Sequence, residues 1–201
     1  MPDNENNDRP GIFRRTWRAF SSPSSRYAFG TLLIGGIIIG IIAWSGFNSV
    51  IAYTSTNEFC STACHEMESF VYPDYTESHH FSNRSGVRAK CKDCHIPKAF
   101  FPKMATKIRA GLVEVPGHLM GKIDTQEKFD AHKLEMAERV WARLEESDSR
   151  ECRSCHSYEA MSEDLQDRQA QRRHSAEYRE ATGRTCINCH KGVAHELPED
   201  M

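Results

Sequence analysis

Four clusters decide how this chain is read: Cys60-Ser-Thr-Ala-Cys64-His65, Cys91-Lys-Asp-Cys94-His95, Cys152-Arg-Ser-Cys155-His156 and Cys186-Ile-Asn-Cys189-His190. Together they use all eight cysteines. Each sets two thiols beside an imidazole, as covalent haem attachment requires. The thiols add across the two vinyl groups, and the following histidine is held over the porphyrin to ligate iron. Four covalently bound haem c groups are the expected cofactors. Zinc is the competing reading, since two Cys-x-x-Cys pairs can close a tetrahedral site, but zinc does not require histidine after the second cysteine every time. A disulfide framework fares worse, because every cysteine already has a place in a cluster.

The first cluster carries three residues between its cysteines where the others carry two. Its loop is looser, so haem attachment there is the least regular of the four. A degenerate cluster without haem is the alternative. The stretch from Cys60 to His195 leaves roughly 34 residues per haem, too few to wrap each cofactor in its own protein core. The haems themselves are therefore expected to form the core. With mean hydropathy -0.62 and 27% charged residues, the rest of the chain reads as polar and solvent-facing. The formal charge of -2 becomes more negative with the propionates of four haems, which excludes nucleic acid as a natural partner.

No charged residue occurs in residues 27–57, and residues 28–47 read AFGTLLIGGIIIGIIAWSGF, a length that crosses a bilayer core as one helix. Arg9, Arg14, Arg15, Arg18 and Arg26 precede it. The positive-inside rule then places residues 1–26 in the cytoplasm, residues 27–53 in a bacterial inner membrane and residues 54–201 in the periplasm. Trp17, Tyr27, Trp44 and Tyr53 flank the segment as interface aromatics do. A cleaved signal peptide has a shorter apolar region ending in a small-x-small site, and here Phe47 and Asn48 interrupt the candidate site. Gly36-Ile-Ile-Ile-Gly40 presents a small-xxx-small face that suits a homodimer.

The clusters fall into two pairs. Cys91 follows Cys60 by 31 positions and Cys186 follows Cys152 by 34, which predicts two dihaem halves at about residues 54–121 and 147–201. His80 lies 11 positions before Cys91 and His174 lies 12 before Cys186, so both are read as distal axial ligands, His80 in preference to His79. His195, after the turn Lys191-Gly-Val-Ala-His195, is a third distal candidate. The fourth site is left to His118, Met67 or an outside ligand. Between the halves, Phe129, His132, Met136, Val140 and Leu144 recur at helical spacing and predict an amphipathic helix over residues 124–146. His132 on that stripe reads as packed rather than ligating. A second helix is expected over residues 162–183, carrying His174 and ending at Gly183. The fold class is thus mainly α with irregular haem-wrapping loops and a single transmembrane helix.

Cys64-His65-Glu66-Met67, Ser85-Gly-Val-Arg-Ala-Lys-Cys91-Lys-Asp-Cys94-His95-Ile-Pro97 and Val115-Pro-Gly-His118, behind a membrane segment, resemble the NapC/NirT family of membrane-anchored tetrahaem cytochromes. The resemblance covers nearly the whole chain and is nearest to the branch associated with nitrite reduction. It implies electron transfer from membrane quinol to a periplasmic nitrite reductase, or alternatively a nitrate reductase. By analogy with NrfH-like members, Met67 rather than His65 becomes a first-haem ligand candidate. The same analogy has His80 serving the third haem and His195 the second, with His95, His156 and His190 as proximal ligands. Lys107 and Glu114 match a lysine and an acidic residue that line the quinol pocket in that relative. A terminal reductase acting on a small oxyanion is the rival reading. It needs an open iron position, whereas all four motifs here end in histidine and spare histidines are at hand.

Overall fold

The computed structural model describes residues 11–21 and 27–199. Arg9 and Arg26, two of the five arginines that set the expected orientation, lie outside the described residues. The chain divides into two compact units, one ending at Val50 and the other running from Ile51.

In the first unit, α1 (Ile12–Ser21) is amphipathic. Ile12, Phe13 and Trp17 fall on one side and are exposed, while Arg14, Arg15 and Arg18 fall on the other. The charge-free stretch forms α2 (Phe29–Tyr53). At about 1.5 Å per residue its 25 residues span roughly 37 Å, enough to cross a hydrocarbon core of about 30 Å. Its leucines and its isoleucines from Ile34 to Ile42 are exposed, as lipid contact requires. Hydroxyl and amide side chains near its end fold back onto the helix, with Ser49 Oγ donating to the Ser45 carbonyl at 2.9 Å and Asn48 Nδ2 to that of Trp44 at 2.8 Å.

The second unit is a succession of short helices with no strand among the described residues. Thr56 caps α3 (Asn57–Thr62) by accepting from Phe59 N–H, and a π-turn at Met67–Val71 leads into α4 (Tyr72–Glu77). Then come α5 (Cys91–His95), α6 (Phe100–Arg109), a second π-turn at Ala110–Glu114 and α7 (Val115–Leu119). The longest element of this unit is α8 (Gln126–Glu146). It starts two residues later than its stripe predicts, because the Thr125 hydroxyl accepts from Lys128 N–H and fixes the first turn there. Phe129 and Leu144 are the buried ends of that stripe. After it follow α9 (Arg150–Arg153), α10 (Arg168–His174), α11 (Ala176–Thr182) and α12 (Cys186–Cys189).

The helix expected over residues 162–183 is broken. A 3-10 turn occupies Glu163–Leu165, Asp167 caps α10, and Ser175 ends α10 in extended conformation while its hydroxyl caps α11. Ser and Asp offer the backbone alternatives to continuing the helix, and here they win. Gly183 at φ 64 does end α11, the left-handed stop that glycine makes without strain.

Buried apolar side chains among the described residues are Tyr75, Phe129, Leu144 and Ile187. That is a small core for a unit of this length, in keeping with packing completed by cofactors rather than by side chains.

Candidate functional site

The short helices exist to present the cluster cysteines. Asn57, three residues before Cys60, accepts from Cys91 N–H through Oδ1 at 3.0 Å, so the first turn of α3 caps the helix of the second cluster. The same Asn57 donates through Nδ2 to Tyr75 Oη at 3.3 Å, and the Tyr75 hydroxyl donates to the Ala89 carbonyl at 2.7 Å. Ser149 repeats the arrangement three residues before Cys152. It is wholly buried, shares a hydrogen bond of 2.7 Å with Thr185 Oγ1 and accepts from Ile187 N–H at 3.1 Å. Each pair of clusters is thus clipped together by one polar side chain at an equivalent position. Between the pairs, α5 packs against α9. The Cys60 thiol is held down to about 7, chiefly by its hydrogen bond with Cys91, and burial then Cys152 push Cys94 up to about 11. Those couplings run from the first cluster to the second to the third, and burial then Cys186 raise Cys152 as well.

The histidines come together two by two. Ring centres are 5.7 Å apart for His65 and His118, 6.2 Å for His80 and His156, 6.1 Å for His95 and His195, and 5.9 Å for His174 and His190. Imidazole binds metal at about 2 Å, so two imidazoles flanking one metal place their ring centres on the order of 6 Å apart. Every pair contains one cluster histidine and one of the candidate distal residues, and His118 is the one that lies beside His65. His79 is exposed while His80 faces His156.

The outer nitrogens are mostly engaged. His80 Nδ1 lies 3.1 Å from the Val193 carbonyl, His174 Nδ1 2.6 Å from Gln166 Oε1, and His118 Nδ1 2.8 Å from both oxygens of Glu66. Such contacts fix the tautomer and leave the other nitrogen for a metal. His195 differs, since its Nδ1 is buried without a hydrogen-bond partner, a vacancy in its bonding that a metal would satisfy. Burial, then the charges of His195 and Arg143, push His95 down to about 4, so this imidazole is neutral, the form that ligates. The donor set fits haem: eight thiols in four clusters, each beside a facing pair of imidazoles.

Equivalent positions do not take equivalent partners. His80 and His174 match in the repeat, yet His80 reaches a histidine of the other half and His174 one of its own. His195 likewise crosses to His95. Met67 stands in the π-turn and is 36% exposed. Cys64, Glu66 and His118 have ligand atoms within 4.8 Å of one another, a cluster that thioether formation at Cys64 reduces to Glu66 and His118. Sequence reasoning passed over Glu66, whose 3% exposure is the signal that marks it.

Lys107, on α6, donates to the Thr54 carbonyl at 3.0 Å and to its hydroxyl at 2.9 Å. Burial lowers the Lys107 ammonium, with Cys60 acting against it. Glu114 closes the second π-turn, is exposed and forms no ion pair with Lys107 among the described residues. It reaches the first cluster through its charge on Cys64, which follows burial and Glu66 in raising that thiol. Electrostatically, Lys107 bears on Cys60 and Glu114 on Cys64. Along the same stretch Ile108, Leu112, Val113, Val115 and Leu119 are exposed, a run of apolar surface.

A cytochrome is what this arrangement describes, and the comparisons agree. The NapC/NirT cytochrome c family, N-terminal region, matches residues 22–200. The denitrification system component NirT of Stutzerimonas stutzeri is 51% identical over 179 residues, which is 89% of this chain and 87% of that protein. The cytochrome c-type protein NapC of Escherichia coli strain K12 is 47% identical over 195 residues, covering 96% and 95%. TorC of the same strain is 42% identical over 186 residues, 92% of this chain but 47% of TorC. No solved structure matches the chain. With cluster spacing, histidine pairing and likeness along nearly its whole length in agreement, this chain belongs to the NapC/NirT cytochrome c family.

Proposed function

We propose that this chain takes electrons from membrane quinol beside the first cluster and delivers them to a soluble periplasmic reductase, most favourably the nitrite reductase of denitrification. Lys107, which donates to Thr54 and bears by its charge on Cys60, carries this reading together with Glu114, which bears by its charge on Cys64. Haem c, when bound at the clusters, supplies the one-electron chemistry. The protein residues handle what accompanies it. Quinol oxidation releases protons as well as electrons, and exposed Glu114 is placed to take a proton to solvent. Lys107, held by Thr54, presents its ammonium to a ring oxygen. The apolar surface of Ile108, Leu112 and Val115 suits an isoprenoid tail. Thr54, to which Lys107 donates, immediately follows the helix that is long and apolar enough to cross a membrane.

The axial pairs we assign are His65 with His118, His80 with His156, His95 with His195 and His174 with His190. Each iron position would then be closed, which favours a carrier over a terminal reductase. In orientation, Arg14, Arg15 and Arg18 on α1 support a cytoplasmic side before the span and a periplasmic haem unit after it. Likeness to NirT supports nitrite reductase as the acceptor, and likeness to NapC supports nitrate reductase as the alternative.

The test is haem reduction by quinol with the full-length protein in liposomes. Lys107→Met and Glu114→Gln are each expected to slow it by about 10² while leaving reduction by dithionite unchanged. Quinol-driven rates equal to wild type in both variants would overturn the site.

A further inference from the structure

Glu66 is the most deeply buried carboxylate among the described residues, at 3% exposure. It follows His65 directly, and its two oxygens both lie 2.8 Å from His118 Nδ1. His65 Nε2 stands 3.4 Å from the same group. No lysine or arginine pairs with it among the described residues.

A carboxylate only accepts hydrogen bonds, so the shared proton must sit on His118 Nδ1, which leaves Nε2 bare for a metal. We infer that Glu66 is a positioning residue for the first haem: it fixes the tautomer and orientation of His118 and, by its charge, makes that imidazole a stronger donor to iron. A carboxylate behind a ligating histidine raises the basicity of the ligand. The stronger donor favours the oxidised iron and lowers its potential, so an electron entering beside Lys107 is passed on rather than retained. His80 and His174 meet only neutral acceptors, a carbonyl of Val193 and an amide of Gln166. The first site is therefore set apart electrostatically from those two.

This inference rests on the assignment of His118 to the first haem, and the experiment separates the two. Full-length wild type, Glu66→Gln, Glu66→Asp and His118→Met, each with its haems counted, are titrated potentiometrically and followed by electron paramagnetic resonance. In Glu66→Gln one low-spin signal is expected to change its g-values and its midpoint to move to more positive potential, with the other three unmoved. Glu66→Asp, which keeps the charge, returns the midpoint toward wild type. Midpoints and g-values in Glu66→Gln that superimpose on wild type would overturn the inference. So would loss of the first haem from both Glu66 variants, which would assign Glu66 to folding alone. His118→Met reports on the assignment itself: if all four signals stay as in wild type, His118 is no ligand, whatever the Glu66 variants show.

Discussion

Asn57 and Ser149 do at single-residue scale what the cluster spacing cannot do, which is to bring two haem sites to one place. Ser149 sits at φ 45, left-handed backbone that a non-glycine residue adopts only when its surroundings insist. Its hydroxyl is answered by Thr185 and Ile187 N–H in a fully buried position. Ser149→Ala leaves those groups without a partner and is expected to destabilise the holoprotein by about 1–3 kcal/mol, read as a lowered Tm, with the third and fourth haems affected first. Two residues on, burial works against ionisation of Glu151, but a backbone N–H, Ser147 and Arg150 overcome it and hold the carboxyl below 4.5. As pH falls the unfolded chain binds the proton first. The stability that Glu151 contributes is therefore complete above 4.5 and is lost as pH drops through the folded value. Glu151→Gln is expected to lose less Tm than wild type between pH 7 and about pH 4, and parallel losses would show that the group is not responsible. Cysteines and histidines were legible in the sequence because their chemistry demands fixed spacing. The roles of Asn57, Ser149 and Glu66 were not, even with Glu66 inside the first cluster's motif, since spacing does not reveal a partner 34 to 52 positions away.

Among the elements, periodicity foretold what periodicity controls. The apolar stripe of α8 and the uncharged run of α2 both became helices, because each asks only that successive turns present one kind of side chain. Breaks within the last third obey local hydrogen bonding, and Ser175 interrupts what composition reads as one helix. Gly183 was legible as a stop for the opposite reason: only a residue without Cβ takes its φ of 64 freely. Nothing lies within 4 Å of a Cβ added there, so Gly183→Ala tests backbone conformation without a clash. It is expected to cost about 1 kcal/mol and to lower Tm by a few degrees. A Tm unchanged within error would show that α11 ends by its neighbours' packing instead.

At the scale of the whole molecule, the repeat in cluster spacing is matched by the similarly placed clips of Asn57 and Ser149 and is not matched by the histidine pairs. His80 with His156 and His95 with His195 lace the two halves together, whereas His65 with His118 and His174 with His190 stay within them. A repeat in sequence preserves spacing along the chain, and spacing says nothing of which half a side chain will meet. On this account neither half would hold its full set of ligands alone. We propose that all four irons are closed by histidine pairs, which makes the chain a carrier. The most direct test of this is the electron paramagnetic resonance and near-infrared magnetic circular dichroism of the oxidised full-length protein, with haem counted per chain. Four low-spin haems with two imidazole ligands each are predicted. A high-spin haem that binds nitrite and turns it over would contradict the carrier and make the protein a reductase.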